Sequence, residues 1–334
     1  MCFRAGPRNL IRQSQDWEGY IRSVWFMYLP PSSLSTLHCL AFFPNKMSHQ
    51  LVWLITGTSS GLGRDLTLAA LKRGDKVIAT GRARSLSKLD DLKQYGADTL
   101  ELDVTSSLET LQDIAKKAVA IHGRIDILVN NAGFVELGTL EDLTHLETYN
   151  QFNTNVFGPL NINRVFLPYM RERKSGTVVW LGSIVGWIGF GSIGLYAGTK
   201  HAVRGLSESL HQEISPLGLR SICFEPGYFR TDFLSEDNRG NDKTRIEDYR
   251  EINERNSALF NAYNHNQPGD PKKAVEVMID VIKGDGAARG KEFPTVVALG
   301  SDAYDVIKGA CTTASDRLEA WKDLTVSTDF PKGN

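Results

Sequence analysis

Short apolar runs alternate along most of the chain with longer stretches in which apolar positions recur every three or four residues. Leu51-Val-Trp-Leu-Ile-Thr56 is the first such run, unbroken by charge, as expected of a strand buried on both faces. The same pattern predicts strands at Lys76–Thr80, Thr99–Asp103, Ile125–Asn130, Gly176–Leu181, Leu219–Phe224 and Phe293–Leu299. Helical spacing covers Leu62–Arg73, Ser107–His122, Thr144–Arg173, Tyr196–Ile214 and Pro271–Lys283, where Pro271 suits a first turn. Alternating strands and helices predict an α/β fold: a Rossmann-like, doubly wound parallel sheet of about seven strands with helices on both faces, in a single domain.

Composition changes this picture at one end only. The 334 residues include 38 Lys+Arg and 39 Asp+Glu, with 41% hydrophobic and 23% charged residues. That balance supports a packed core and excludes a largely disordered chain. A net charge near zero, without a local basic cluster, removes the footprint of a nucleic-acid binder. The first 46 residues are different: they hold eight aromatics and five basic side chains against Asp16 and Glu18. Their apolar stretches, Val24–Leu29 and Leu34–Phe43, stop at Pro30-Pro31 or are broken by polar residues, short of the ~18 apolar residues that an integral membrane segment needs. No secretory cleavage pattern is present. With a second methionine at Met47, residues 1–46 read as a disordered extension or mis-assigned start, and 47–334 as the domain. The four cysteines show no CxxC or zinc spacing, so a reduced, cytoplasmic protein without a metal site is expected. Organelle targeting through the acid-poor opening is the second reading.

Chemistry first appears in the turn after Leu51–Thr56. Gly57-Thr-Ser59-Ser60-Gly61-Leu62-Gly63 places three glycines between a strand and a helix, where the backbone can approach a pyrophosphate and the helix N-terminus offers free N–H groups. The tip of the second strand reads Ala79-Thr80-Gly81-Arg82 and lacks the acid that would hold a ribose 2′-hydroxyl. A guanidinium there suits a 2′-phosphate, which favours NADP(H) over NAD(H). Ser59 and Arg84 are further candidates. Tyr196 and Lys200 stand four apart on a predicted helix and so share a face. A cation beside a phenol lowers its pKa toward the range useful for acid–base catalysis. Ser183 sits at the carboxyl end of the fifth strand, where open α/β sheets bind ligands.

In combination these residues resemble the short-chain dehydrogenase/reductase family, in its single-domain branch. Thr56-Gly57-x3-Gly61-x-Gly63 resembles that branch's cofactor turn, Asp103-Val104 its adenine-contacting position, and Asn130-Asn131-Ala132-Gly133 its signature after the fourth strand. Asn155 falls where the family keeps its catalytic asparagine, and Ser183, Tyr196 and Lys200 complete a tetrad. Pro226-Gly227 through Thr231 resembles the segment whose threonine contacts the nicotinamide carboxamide. The resemblance implies hydride transfer between nicotinamide and a carbonyl/alcohol pair. In it Tyr196 exchanges the proton, Ser183 holds the oxygen, Lys200 lowers the phenol's pKa and holds the ribose, and Asn155 orients a water. It also implies a homodimer or homotetramer.

Pro268-Gly-Asp-Pro271 and Leu299-Gly-Ser-Asp-Ala303 are similar to microbial and fungal relatives of 17β-hydroxysteroid and retinol dehydrogenases, although helix capping by Ser301 or Asp302 explains the second locally. Trp187, Ile188, Phe190 and Leu195, with Phe229, Phe233 and Leu234, are candidates for an apolar wall suited to a small hydrophobic carbonyl or alcohol. An insertion at about 228–267, carrying Tyr249, Phe260 and Tyr263, reads as a lid. His201 and His211 are assigned to packing. Two other functions compete: a non-catalytic NADP(H)-sensing protein, against which the complete tetrad argues, and an epimerase or dehydratase using the same Tyr–Lys pair.

Overall fold

The computed structural model describes residues 50–234 and 244–331. The expectation for residues 1–46 lies outside the described residues, as does the 235–243 part of the insertion.

Every predicted strand forms: β1 (Val52–Ile55), β2 (Lys76–Gly81), β3 (Asp98–Glu101), β4 (Ile127–Asn130), β5 (Gly176–Leu181), β6 (Leu219–Pro226) and β7 (Val296–Leu299). They make one parallel sheet in the order β3-β2-β1-β4-β5-β6-β7. Successive side chains point to opposite faces, so each strand feeds two cores. On one face Val52, Leu54, Leu128 and Trp180 pack with Leu111 of α2 (Leu108–His122) and Phe166 of the helix preceding β5. On the other, Trp53, Ile55, Val179 and Phe224 pack against α1 (Gly61–Lys72) and a later helix carrying Val275, Met278 and Ile279. The doubly wound architecture is thus a consequence of strands apolar on both sides.

The predicted helix from Thr144 to Arg173 is broken. Thr144 caps α3 (His145–Phe152) through a reciprocal capping box with Glu147, and α4 (Gly158–Glu172) continues the direction. Between them Asn153–Phe157 forms a π turn, an insertion that recurs at functional sites. Next comes α5 (Gly194–Ile214), which carries Tyr196 and Lys200. The insertion after β6 contains a helix not read from the sequence, α6 (Arg250–Tyr263). Its polar face is buried: Asn253 donates to Asp142 at 2.9 Å and accepts from Ser192 at 2.8 Å, while Asn256 donates to Ser192 at 3.0 Å. Asp142 also accepts the backbone N–H groups of Arg245 and Ile246. Then follow α7 (Pro271–Lys283), capped by Asp270, and a largely exposed α8 (Ser301–Ala320). Asp302 anchors the loop after β6, accepting from Tyr228 N–H at 2.6 Å, a longer-range task than the local cap expected of it. Among the described residues no helix is long and apolar enough to cross a membrane.

Strand order reverses between β1 and β4, and such a switch point opens a crevice beyond the strand ends. Thr56 ties the two sides of that crevice together. Its hydroxyl accepts the backbone N–H groups of Asn131 and Ala132, both at 3.0 Å, and donates to Val129 O at 3.1 Å. Thr56→Val keeps the shape but strands two backbone donors. We expect it to lower unfolding free energy by about 2–3 kcal/mol, read by urea denaturation.

Candidate active site

Beyond the carboxyl ends of β1, β2, β4, β5 and β6 lies a cavity of about 830 Å³. At one end is the glycine turn. Gly57 and Gly61 have positive φ (70° and 58°), and a Cβ on Gly57 would come within 2.9 Å of Ala132 Cα. Gly63 is off the cavity wall; a Cβ there would meet Gly57 O at 2.6 Å, so its role is to let α1 approach the turn. Ser59, Ser60, Gly61 and Leu62 line the cavity. The first turn of α1 holds no acidic residue, and the Ser60 side chain makes no capping bond. Its N–H groups and positive dipole end are therefore free for an anion.

Arg82, Arg84 and Lys88 also line the cavity, as do Asp103 and Val104. Burial and the neighbouring Arg84 cation push the Arg82 guanidinium below its ordinary pKa, while Asp103 pulls it back. Asp103 also accepts from Thr105 N–H at 2.9 Å and from its hydroxyl at 2.7 Å, which fixes the turn after β3. Asn131, at the end of β4, donates to Thr56 O and Gly57 O at 2.8 and 2.9 Å, holding the glycine turn from the far side. Thr231 lies directly beside Gly61, where an added Cβ would meet Thr231 Cβ at 3.7 Å, and it also lines the cavity.

At the other end Ser183, Tyr196 and Lys200 converge. β5 delivers Ser183, and one face of α5 delivers the other two. Burial pushes the Tyr196 phenol well above its usual range, an effect that a hydrogen bond with Ser183 opposes. Lys200 is buried as well, and the loss of water brings its ammonium down to about 8. Its Nζ donates to Leu181 O at 2.5 Å and lies 5.4 Å from the Tyr196 ring centroid. The expected lowering of the phenol's pKa by Lys200 is therefore not what this arrangement produces. Both groups are desolvated, and each is pushed toward its neutral form.

Asn155 lies one layer behind the cavity wall. The π turn aims its carboxamide at the loop after β4, where it accepts from Phe134 N–H at 3.2 Å and donates to Phe134 O at 2.9 Å and Thr199 Oγ1 at 3.3 Å. Thr199 in turn donates to Tyr196 O at 2.7 Å. In this arrangement Asn155 joins the β4 loop to the tyrosine helix. Gln151 adds a second clamp that composition did not signal, pairing with Glu136 N–H and Phe134 O.

Of the apolar residues nominated for a substrate wall, Phe229 and Phe233 line the cavity, joined by Phe260 of the insertion. Trp187, Ile188, Phe190 and Leu195 do not. Trp187 donates to Glu225 at 2.6 Å and stacks under Arg204, and Phe190 packs behind Phe260. Ile184, Val185, Ile193, Val135 and Leu137 take their place. Tyr249 is spent on Glu141 and Tyr263 packs on Tyr228. His201 bonds Ala197 O, and His211 bonds Ser221 and stacks on Phe293; both have packing roles. No cluster able to hold a metal occurs among the described residues.

The sequence profile described as short chain dehydrogenase matches residues 51–242. An oxidoreductase of Botryotinia fuckeliana, BOA17, is 31% identical over 281 residues, covering 83% of this chain and 98% of its own. The chain belongs to the short-chain dehydrogenase family. A 3-ketodihydrosphingosine reductase of Bacteroides thetaiotaomicron is 35% identical over 203 residues, covering 61% of this chain and 72% of its own. Among solved structures, a short-chain dehydrogenase from Streptomyces avermitilis superposes with a TM-score of 0.75 at 36% identity, over 84% of this chain and all of that one. This short-chain dehydrogenase thus has the seven-stranded parallel sheet of its relatives, with its cavity at the switch point.

A buried ammonium with a lowered pKa has a consequence for stability. Between about 8 and 10.5 the unfolded chain holds the Lys200 proton and the folded chain does not, so Lys200's contribution to stability rises with pH across that window. Below pH 8 the full penalty applies. Lys200→Met should therefore be more stable than the wild type at pH 7, by up to about 3 kcal/mol, with the gap narrowing as pH rises to 10. Urea denaturation across that range reads it.

Proposed function

We propose that this short-chain dehydrogenase is an NADP(H)-dependent oxidoreductase that interconverts a carbonyl and an alcohol on a small hydrophobic molecule. One observation carries the reading. Ser183, Tyr196 and Lys200 open onto the same cavity as the uncapped α1 N-terminus and the Arg82 cluster.

A nicotinamide dinucleotide fits the residues present. The glycines leave the room that a pyrophosphate requires, and a side chain at Gly57 would collide with Ala132. The tip of β2 offers cations and no acid. Two adjacent guanidiniums repel each other, so a 2′-phosphate between them would relieve that repulsion. Gly57, Ser59 to Leu62 and Asn131 would surround the pyrophosphate side, Asp103 and Val104 the adenine, and Thr231, Tyr196 and Lys200 the nicotinamide riboside. When bound, the dinucleotide supplies or accepts the hydride.

The chain's own residues supply position and the proton. Tyr196, kept protonated by burial, stands ready to donate to a carbonyl oxygen as charge develops there. Ser183, hydrogen-bonded to the same phenol, supplies a second donor for that oxygen. Lys200, charged below about pH 8, contributes a cation at the end of the site. Ile184, Val185, Ile193 and Phe233 give the cavity apolar lining around the reacting centre. The apolar lining suits a hydrophobic substrate, and the Bacteroides relative, a 3-ketodihydrosphingosine reductase, supports a keto group as the reacting one. The intact Ser183–Tyr196–Lys200 set favours an enzyme over a cofactor sensor.

Tyr196→Phe should retain NADPH binding, measured by fluorescence titration, and lose at least about a hundredfold in kcat with any ketone reduced by the wild type. Unchanged turnover would contradict the assignment. Arg82→Asp should shift the NADPH/NADH ratio of kcat/KM toward NADH by about tenfold or more, since a carboxylate repels the 2′-phosphate and accepts a ribose hydroxyl. A ratio that stays put would contradict the cofactor preference.

A further inference from the structure

Tyr196 is the third residue of α5, in a first turn that has no cap of its own. Ile193 at the N-cap position supplies no side-chain hydrogen bond, and the turn holds no acidic residue. Uncapped helix ends fray, so a reacting group placed there needs support from elsewhere. It comes from the residue before the cap. Of the three described non-glycine residues with positive φ, Lys174, Ser192 and His265, only Ser192 is buried, with φ 61°. An L residue adopts that left-handed conformation at a cost, and it persists where neighbours hold it. Ser192 is held on two sides. Its carbonyl accepts from Gly138 N–H at 2.9 Å, in the loop after β4. Its hydroxyl donates to Asn253 Oδ1 at 2.8 Å and accepts from Asn256 Nδ2 at 3.0 Å, both on α6. Asn253 is aimed in turn by donating to Asp142 at 2.9 Å and to Thr244 at 3.2 Å. The flanking glycines keep these contacts close. A Cβ at Gly191 would crowd Asn256 and Ile252 at 3.2 Å, and one at Gly194 would meet Leu140 at 2.9 Å.

α6 also supplies Phe260 to the cavity lining, and Ile193, next to Ser192, lines the same cavity. The first hydrogen bond of α5, from Ala197 N–H to Ile193 O at 2.9 Å, begins one residue after Ser192. A change of φ at Ser192 therefore re-aims the turn that carries Tyr196. We propose that Ser192 is a positioning residue for Tyr196. Its hydroxyl, gripped by Asn253 and Asn256, keeps the backbone left-handed and so makes the docking of α6 a condition for placing the phenol. The inference rests on the oxidoreductase reading, and it makes the insertion part of the reaction-centre frame as well as a wall for substrate. A ketone bulky enough to displace Phe260 then has a lower kcat as well as a higher KM.

The test contrasts two substitutions in the full chain that both remove the hydroxyl. Alanine keeps the strain, whereas glycine adopts positive φ freely. With a ketone that the wild type reduces, Ser192→Ala should lower kcat about tenfold, with the NADPH Kd unchanged within about twofold. Ser192→Gly should keep kcat within about threefold of the wild type. Asn253→Ala should lower kcat as Ser192→Ala does, but in the Ser192→Gly background it should raise KM and leave kcat alone. That comparison carries the test if Ser192→Ala does not fold. Wild-type kcat in Ser192→Ala would overturn the proposal. So would glycine performing no better than alanine, which marks the hydroxyl as a plain hydrogen-bonding member of the buried cluster. An equal loss of kcat from Asn253→Ala in both backgrounds would also overturn it. If the wild type reduces no carbonyl, the parent reading fails, and amide hydrogen exchange still reads Ser192. Exchange at the Gly138 and Ala197 amides should be faster in Ser192→Ala than in Ser192→Gly, and equal rates would overturn the positioning role.

Discussion

The site depends on the close approach of two strand ends, secured by one hydroxyl. Thr56 stands where β1 stops, and its Oγ1 accepts two consecutive backbone N–H groups from the end of β4. Asn131 answers by donating to Thr56 O and Gly57 O. This reciprocal bonding fixes the glycine turn at the switch point of the sheet, leaving no space for a side chain at Gly57 or Gly63. Everything the cavity presents is hung from that frame. α1 starts from it with its N–H groups free, and the loop that Asn155 and Gln151 clamp continues from it. The buried polar side chains around the site are costly to leave unpaired, so their satisfaction against one another specifies a single arrangement.

Burial is also what sets the chemistry. Tyr196 and Lys200 share a face of α5, and a simple pairing would have the cation stabilise the phenolate. Instead the ammonium donates to Leu181 O, and desolvation raises the phenol and lowers the amine. The free protein therefore holds a neutral acid opposite a wall of aliphatic and aromatic side chains. In that state the phenol carries the proton that donation to an oxygen requires. At the cavity's other end the balance is reversed, with cations crowded together and partly desolvated around Arg82. One end favours an anion, and under the proposed function the other receives the carbonyl.

Much of this was legible in the sequence because the features are local. A strand, a glycine turn and a helix follow one another without interruption at 52–72, and the four-residue spacing of Tyr196 and Lys200 needs only helical geometry. What escaped depends on partners distant along the chain. The π turn that aims Asn155 arises inside a run of ordinary helical spacing. α6 looks like a polar loop because Asn253 and Asn256 find their partners at Asp142 and Ser192, which hydrophobic periodicity cannot signal. The place of Trp187 between Ser183 and Tyr196 predicts a substrate contact, yet a buried Glu225 on β6 draws its indole N–H away.

The proposed function requires dinucleotide and carbonyl to meet in one cavity beside Tyr196. Its most direct test follows the hydride itself, using NADPH deuterated at the transferable C4 position and a panel of hydrophobic ketones and aldehydes. Deuterium is expected on the carbinol carbon of the product, seen by mass spectrometry, with one NADPH consumed for each alcohol formed. Alcohol without deuterium, or no alcohol from any member of the panel despite tight NADPH binding, would contradict it.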